Sequence, residues 1–324
     1  MSARTLGALA ALAALGAAGC ASTSDQALNR SLGALATPVA QAPAAVPTTT
    51  STVRCADPTA SLRPAGALPA PGAMPAGSFM AAIRRRGRLI AGVDQNTLLF
   101  GYLKPSTGRI EGFEIDLLRE VARAIFGNPN AIEFKALTTA ERLPFVQRGA
   151  VDIVADAVTM TCDRRRQVDF STTYYDAAQR LLEPANAAPA GASDVAGERV
   201  CATRGSTSLQ TLVQKAPAAH PYPVEQRTDC LVALQQGRVD AITSDDAILL
   251  GFRAQDPNTK IIGARLADEP YGMAINRAHP DLVRFVNGVL AQMRADGRWA
   301  VIYKKWLGGV TSRTPAPPRP HYGG

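Results

Sequence analysis

Histidine and aromatic residues are scarce in this chain, and their scarcity excludes several kinds of chemistry. Of 324 residues only three are His, at 220, 279 and 321. His220 stands in a loop beside Pro221, His279 directly before Pro280 at a helix start, and His321 in the C-terminal tail. None is placed for the proton transfers that acid–base catalysis requires. No GxSxG, HExxH or GxxxxGK[ST] pattern occurs. No CxxC or Cys/His spacing suggests zinc, so neither a metal nor a cofactor is expected. Aromatic residues make up 6% of the chain, and the basic runs Arg84-Arg85-Arg86-Gly87-Arg88 and Arg164-Arg165-Arg166 lack the interleaved rings that stack bases. The net charge of +8 is therefore read as solvated helix faces and as attraction for anionic solutes, with no nucleic-acid partner. Beyond the first twenty residues no apolar run is long enough to span a bilayer.

Residues 1–19 carry one early arginine, Arg4, then a short apolar stretch rich in small residues, which is the pattern of a secretory signal peptide. Its ending, Ala17-Ala18-Gly19-Cys20, resembles a bacterial lipobox, in which the cysteine is lipidated and becomes the mature N-terminus. Cys20 is thus the expected lipid anchor, and the chain is expected on the outer face of the cell membrane. Four cysteines remain, Cys55, Cys162, Cys201 and Cys230. An even number in an exported chain suggests two disulfides, with three pairings open. We favour Cys201–Cys230 within one lobe and Cys55–Cys162 tying an N-terminal extension to the body. Residues 20–78 are rich in Ala, Pro, Thr and Ser with few large apolar side chains, so they read as a flexible tether followed by an extended segment. Residues 311–324, with their prolines and terminal glycines, read as a disordered tail.

Between these ends strand and helix alternate. Apolar or alternating runs at 89–93, 132–136 and 151–155 predict strands, and helical spacing predicts helices over 115–126 and about 139–148. The order repeats: strands at 199–202, 222–226 and 241–243 enclose helices at 207–214 and 229–236, the latter with Thr228 as its cap. Residues 146–154 and 234–242 coincide, each a helix end, a glycine cap and an apolar strand opened by Val-Asp. Two successive βαβ runs imply an α/β protein of two equivalent lobes, each a mostly parallel sheet flanked by helices. The expected boundaries are 79–182 plus 272–310 for lobe 1 and 183–271 for lobe 2, joined by a two-segment hinge. Two C-terminal helices, at about 281–295 and 299–306, return to lobe 1, with Trp299 and Trp306 as packing aromatics. Ligands of parallel sheets sit beyond the carboxyl ends of strands. That singles out the segment after Val154, with Ala157, Thr159 and Arg164, and the segment after Ile242, with Asp245 and Asp246. A cation faces an anion across the presumptive cleft, as a zwitterion needs.

Eight stretches in order resemble family 3 of the bacterial extracellular solute-binding proteins. Among them are Gly112-Phe113-Glu114-Ile115-Asp116, the run from Thr159 through Arg164 to Ser171, Gly205-Ser206-Thr207-Ser208, and Glu269-Pro270-Tyr271-Gly272. Details such as Thr228-Asp229-Cys230 look most like the actinobacterial glutamate/glutamine-binding lipoproteins. The resemblance spans about 79–308 and implies a two-lobe, periplasmic-binding-protein-like fold of type II, monomeric, closing on a free amino acid. It implies that Arg164 clamps the ligand α-carboxylate, whose two oxygens a guanidinium matches and a lysine cannot. Thr159 would touch both α-groups and Asp245 would pair with the α-ammonium; its neighbour Asp246 reads as the cap of the next helix, with an exchange of roles between the two aspartates left open. Ser206 and Thr207 would present backbone donors at a helix start. Arg142, in Arg142-Leu143-Pro144, is the candidate for the distal end of the ligand side chain. Asp94 departs from the second arginine of some glutamate binders, and Thr97 and Thr139 from the sandwiching aromatics of glutamine binders. Glutamate, aspartate, glutamine and asparagine all stay open. The ligand would pass to an ABC permease, or its occupancy to a membrane sensor protein; a dehydratase on the same fold is the enzymatic alternative.

Overall fold

The computed structural model describes residues 55–187, 195–312 and 314–323. The expected signal peptide, Cys20 and the tether up to residue 53 lie outside these. In chain order the body opens with α1 (Phe79–Arg86), β1 (Leu89–Val93), β2 (Asn96–Thr97), β3 (Gly101–Lys104), β4 (Arg109–Glu111) and α2 (Phe113–Phe126). It continues with β5 (Ile132–Ala136), α3 (Arg142–Gln147), β6 (Ile153–Val154), α4 (Cys162–Arg165), β7 (Asp169–Phe170) and β8 (Tyr175–Pro184). Next come β9 (Arg199–Thr203), α5 (Thr207–Lys215), β10 (His220–Val224), α6 (Arg227–Gln235), β11 (Ala241–Asp245) and α7 (Asp246–Gln255). The long β12 (Thr259–Tyr271), β13 (Ala274–Ile275), α8 (Pro280–Ala295) and α9 (Arg298–Leu307) complete it.

Two five-stranded sheets result, ordered β5-β1-β6-β13-β7 and β10-β9-β11-β8-β12. In the first, β1 runs parallel to both β5 and β6, and β13 is antiparallel to its neighbours. In the second, β9 runs parallel to β10 and β11, while β8 is antiparallel to β11 and β12. The recurring sequence turn is built the same way in both. Gly149 (φ +69°) and Gly237 (φ +64°) end their helices in the left-handed region that glycine adopts without a Cβ clash. The aspartate that follows ties its turn to the start of a neighbouring parallel strand, β1 or β9. Asp152 Oδ2 accepts from Ile90 N at 2.8 Å, and Asp240 Oδ2 accepts from Arg199 N at 2.8 Å.

Most elements lie within a few residues of where periodicity puts them, and the differences have local causes. α3 begins at Arg142 rather than near 139, because Glu141 folds back to accept from both the backbone and the hydroxyl of Thr138 at 2.9 Å. α6 starts at Arg227, with Gln226 and Asp229 forming a capping box, so Thr228 lies inside the helix. β8 pairs with β12 from Tyr175↔Tyr271 to Pro184↔Thr259. Residues 175–182 therefore belong to the second sheet, not to lobe 1, and the chain crosses between lobes just before Tyr175 and just after Tyr271. The three short strands β2, β3 and β4 form a small sheet of their own. Their two to four residues are too few for an alternating pattern to show.

The crossing point is rich in aromatic rings. Tyr271 packs on Tyr175 at 5.7 Å and on Tyr174 at 6.1 Å between centroids, and Phe100, Phe113, Trp299 and Tyr303 surround them. Trp299 donates from its indole to Tyr174 O at 2.9 Å, and Trp306 donates to Asp116 Oδ2 at 2.7 Å. Both are packing residues. Leu282, Phe285, Val286, Val289 and Leu290 of α8 are buried in the core of lobe 1.

Disulfides join Cys55 to Cys162 and Cys201 to Cys230, each with Cα atoms 5.5 Å apart. Residues 314–323 depart from the disorder their composition suggests. Ser61 N donates to His321 O (2.9 Å), Gly323 N donates to Ser61 O (3.0 Å), and Arg294 Nε donates to Pro318 O (3.0 Å). A proline-rich stretch has few N–H groups to satisfy, so a few such bonds suffice to seat it.

Candidate functional site

The two lobes meet in a closed cleft that leaves about 260 Å3 of unfilled space, part of it open to solvent, with Arg142, Ala157, Thr159, Thr207, Arg227 and Asp245 in its wall. The wall is polar throughout, with Thr139, Thr203, Ser206, Ser208 and Ser244 beside these and Ile248 as its one large apolar side chain. Such a lining offers hydrogen-bonding groups to a small, polar solute.

From lobe 1 the turn after β6 supplies Ala157 and Thr159. Ala157 sits at φ +47°, a conformation costing a non-glycine residue roughly 1–2 kcal/mol. Three bonds hold it there. Its N–H donates to Glu114 Oε1 (2.7 Å), and Arg142 Nη1 donates to the carbonyls of Asp156 (2.7 Å) and Ala157 (2.9 Å). Arg142 Nε also donates to Thr139 O at 2.9 Å. Arg142 is buried and forms no ion pair among the described residues; burial lowers its pKa. Glu114, fully buried, has its pKa raised to about 7 by burial and by the neighbouring Asp156 charge.

Arg164 is carried by α4, whose first turn Thr161 caps by accepting from Arg164 N at 3.2 Å. It does not line the cavity wall itself. Its guanidinium lies behind Thr159, with Nη1 donating to Thr159 O (2.9 Å) and Nη2 crossing to Gly205 O of lobe 2 (3.1 Å). Burial lowers its pKa to about 10. Like Arg142, it has no carboxylate within ion-pair distance among the described residues.

Lobe 2 contributes Asp245, at the end of β11. It accepts from Tyr271 Oη (2.6 Å) and Ser208 Oγ (3.2 Å), yet no cation pairs with it among the described residues. Burial raises its pKa. Asp246 turns elsewhere, accepting from Ala178 N (3.1 Å) and Ala247 N (2.8 Å). Ser206 spends its hydroxyl on helix geometry, accepting from Leu209 N at 3.0 Å as the N-cap of α5 and donating to Thr203 O at 2.7 Å. Thr207 Oγ1 lies 3.3 Å from Thr159 Oγ1 across the cleft and donates to Glu269 Oε2 at 2.7 Å. Glu269 is buried beside them, its pKa raised to about 7 by burial and by Asp245. Gly205 (φ +73°) brings its loop against lobe 1; a Cβ there would lie 3.0 Å from Ala140 Cα.

Sequence reasoning passed over Arg227, the first residue of α6. From lobe 2 it reaches two acids of lobe 1. Its Nη1 bonds Asp94 Oδ2 and, at 2.6 Å, Asp156 Oδ1, while Nη2 donates to Asp156 O at 3.2 Å. Burial disfavours its charge, but Asp156 and Asp94 outweigh that and the net pKa shift is upward. A signal existed. A cation at the first position of a helix opposes the helix dipole, so Arg227 must be held by something else. Arg142, the first residue of α3, carries the same signal. Thr97 and Thr139 are both buried, Thr97 donating to Asp94 and Thr139 lining the cavity. Of the histidines, none lines the cavity: His279 stacks on Phe79, His321 lies beside Asp57, and His220 is exposed at the start of β10.

Two α/β lobes on a two-segment hinge, closed around a polar cavity, define a protein that traps a small solute between its halves. The chain belongs to family 3 of the bacterial extracellular solute-binding proteins, whose model matches residues 89–309. It is similar to the ABC transporter glutamine-binding protein of Bacillus subtilis, 37% identical over 229 residues that cover 70% of this chain and 84% of that one. It is also similar to the glutamine-binding protein of Geobacillus stearothermophilus, 37% identical over 192 residues, 59% of this chain and 73% of the other. Among solved structures, the solute receptor for L-cysteine of Neisseria gonorrhoeae superposes with a TM-score of 0.68 at 28% identity, covering 72% of this chain and 95% of that one. No helix among the described residues is long and apolar enough to cross a membrane, and among them no cluster of His, Cys, Asp and Glu is arranged to hold a metal ion.

Proposed function

We propose that this chain is an extracytoplasmic receptor, anchored by lipid on Cys20, that captures a free polar or acidic amino acid and presents it to an ABC importer. The observation that carries the reading is the set of charges left unpaired at the closed cleft, with Arg142 and Asp245 in its wall and Arg164 behind Thr159. Arg142 and Arg164 are buried guanidiniums without a carboxylate, and Asp245 is a buried carboxylate without a cation. Buried charges are costly unless paired, and an amino acid supplies the missing partners. Its α-ammonium goes to Asp245 and its α-carboxylate to Arg164, Thr159 and the start of α5 with Ser206 and Thr207. Arg142, with Ala157 beside it, faces the side-chain end. The glutamine named for both bacterial relatives matches the polar lining of this cavity, and so does glutamate, whose extra charge Arg142 would meet. Charge-assisted hydrogen bonds contribute roughly 1.5–3 kcal/mol each; four or five, less the cost of closure and immobilisation, give about micromolar affinity.

Two measurements test it. A thermal-shift screen against all the amino acids should single out a small polar or acidic set, since a ligand of the folded state raises Tm by mass action. Asp245→Asn should then weaken that ligand by about 2–4 kcal/mol while raising the ligand-free Tm, because the substitution removes a desolvated charge. An Asn variant that binds as tightly as the parent would remove Asp245 from the site and the reading with it.

A further inference from the structure

The segment that carries Arg164 is tied to residues that precede the lobe in the chain. α4 is four residues long, too short to be stable by its own hydrogen bonds, and its guanidinium must reach across the cleft to Gly205 O. The N-terminal extension braces α4 and the strand β7 that follows it. In α4 Cys162 is joined to Cys55, and Arg165 Nη1 donates to Pro58 O at 3.4 Å. At the end of β7 Ser61 Oγ donates to Phe170 O at 2.7 Å. Ser61 is itself fixed by Asn287 Nδ2 on α8, 2.7 Å away, and by the paired tail residue Tyr322. Cys55 is exposed, so the Cys55–Cys162 disulfide secures the segment that bears Arg164 more than it completes a core.

We propose that the strap of residues 55–61, through the Cys55–Cys162 disulfide and the Ser61 bonds, is a positioning element for Arg164 in ligand capture. This rests on Arg164 meeting the ligand, as proposed above. Side chains that bind at close range must be held to within about 0.5 Å by their supports. Freeing α4 from its strap enlarges the set of positions Arg164 samples, and affinity falls with no contact to the ligand removed. The covalent link also makes capture sensitive to reduction of one exposed disulfide.

A double-mutant cycle separates positioning from simple loss of stability. The full chain, Cys55→Ser with Cys162→Ser, Arg164→Lys, and all three together are titrated with L-glutamine and L-glutamate at a temperature where all stay folded. Positioning predicts that loss of the disulfide weakens binding about tenfold in the parent and less than twofold when Arg164 is already lysine, since coupled residues are non-additive. Equal losses in both backgrounds, or no loss in either, would overturn the proposal while leaving Arg164 as a ligand contact. An Arg164→Lys variant that binds like the parent would instead refute the underlying reading, and this proposal with it. Should the cysteine variant fail to fold, Ser61→Ala enters the same cycle with the same expected sign. Where Arg164→Lys binds too weakly for calorimetry, the cycle is read from the rise in Tm at millimolar ligand.

Discussion

Replacing Arg227 with alanine should break closure before it breaks the fold. In the closed cleft Arg227 is the one side chain bonded to both Asp94 and Asp156 among the described residues. Asp94 would keep Thr97 and the Asn96 N–H at 2.8 Å. Asp156 would be worse placed: its Oδ2 already has no hydrogen-bond partner among the described residues, and burial raises its pKa. Removing one partner of a buried pair typically costs about 3–5 kcal/mol. The protein has a cheaper response than unfolding, because Arg227 and the two acids sit on opposite lobes. Opening the hinge returns both carboxylates to water and caps the penalty at what the closed state otherwise gains. We expect about 2–4 kcal/mol to be lost from ligand binding, roughly 30- to 1,000-fold in Kd, with a much smaller fall in the ligand-free Tm. Calorimetry gives the first quantity and differential scanning the second. Small-angle scattering at saturating ligand should show a more expanded particle than the parent. Unchanged affinity together with a large fall in ligand-free Tm would refute the argument, because Arg227 would then be holding a lobe together rather than holding two lobes to each other.

Further outcomes follow from the same geometry. Glu114 and Glu269 have folded-state pKa values raised from 4.5 to about 7, so the native state binds more protons than the unfolded chain between those limits. Ligand-free stability should therefore fall as pH rises from about 4.5 to about 7, by on the order of 3 kcal/mol for each group, and level off above. Glu269→Gln should remove part of this slope in Tm against pH, and a slope unchanged by that substitution would show that Glu269 does not titrate in this range. Gly205→Ala places a Cβ 3.0 Å from Ala140 Cα at a positive φ. It should weaken ligand binding about tenfold by opposing closure, and calorimetry showing parent-like affinity would mean the loop can retreat without cost.

Alternation and repetition carry the fold in this sequence. The Val-Asp turn occurs twice, and each aspartate binds the backbone at the start of a neighbouring parallel strand, so the same residues recur because the same job recurs. Asp245 was legible for a related reason: it follows the end of a predicted parallel strand, where sheets present their ligands. Residues 175–182 of β8 were not legible as lobe 2, because a hinge and a strand have the same extended pattern until pairing is known. Arg227 and Glu269 escaped because their partners lie far away in sequence. Asp94 is 133 residues from Arg227, and nothing periodic links them. The tail was misread because a proline-rich composition marks a lack of core residues, whereas its order here comes from a few bonds to residues 61 and 294.

The charges in the cleft divide into two sets with different tasks. Arg227 pairs with Asp94 and Asp156 across the lobes. On the proposed function, Arg142, Arg164 and Asp245 are left for the ligand, and the tasks assigned to the two sets rest on that reading. The first set favours closure whatever is bound, and the second penalises closure around an empty cavity by burying unpaired charge. Selectivity then arises from the second set, because a solute lacking an ammonium leaves Asp245 unpaired and one lacking a carboxylate leaves Arg164 unpaired. The first set offsets part of the closing cost, so the ligand need supply only the remainder. On the proposed function such a receptor closes on a zwitterion because only a solute carrying both charges supplies both missing partners.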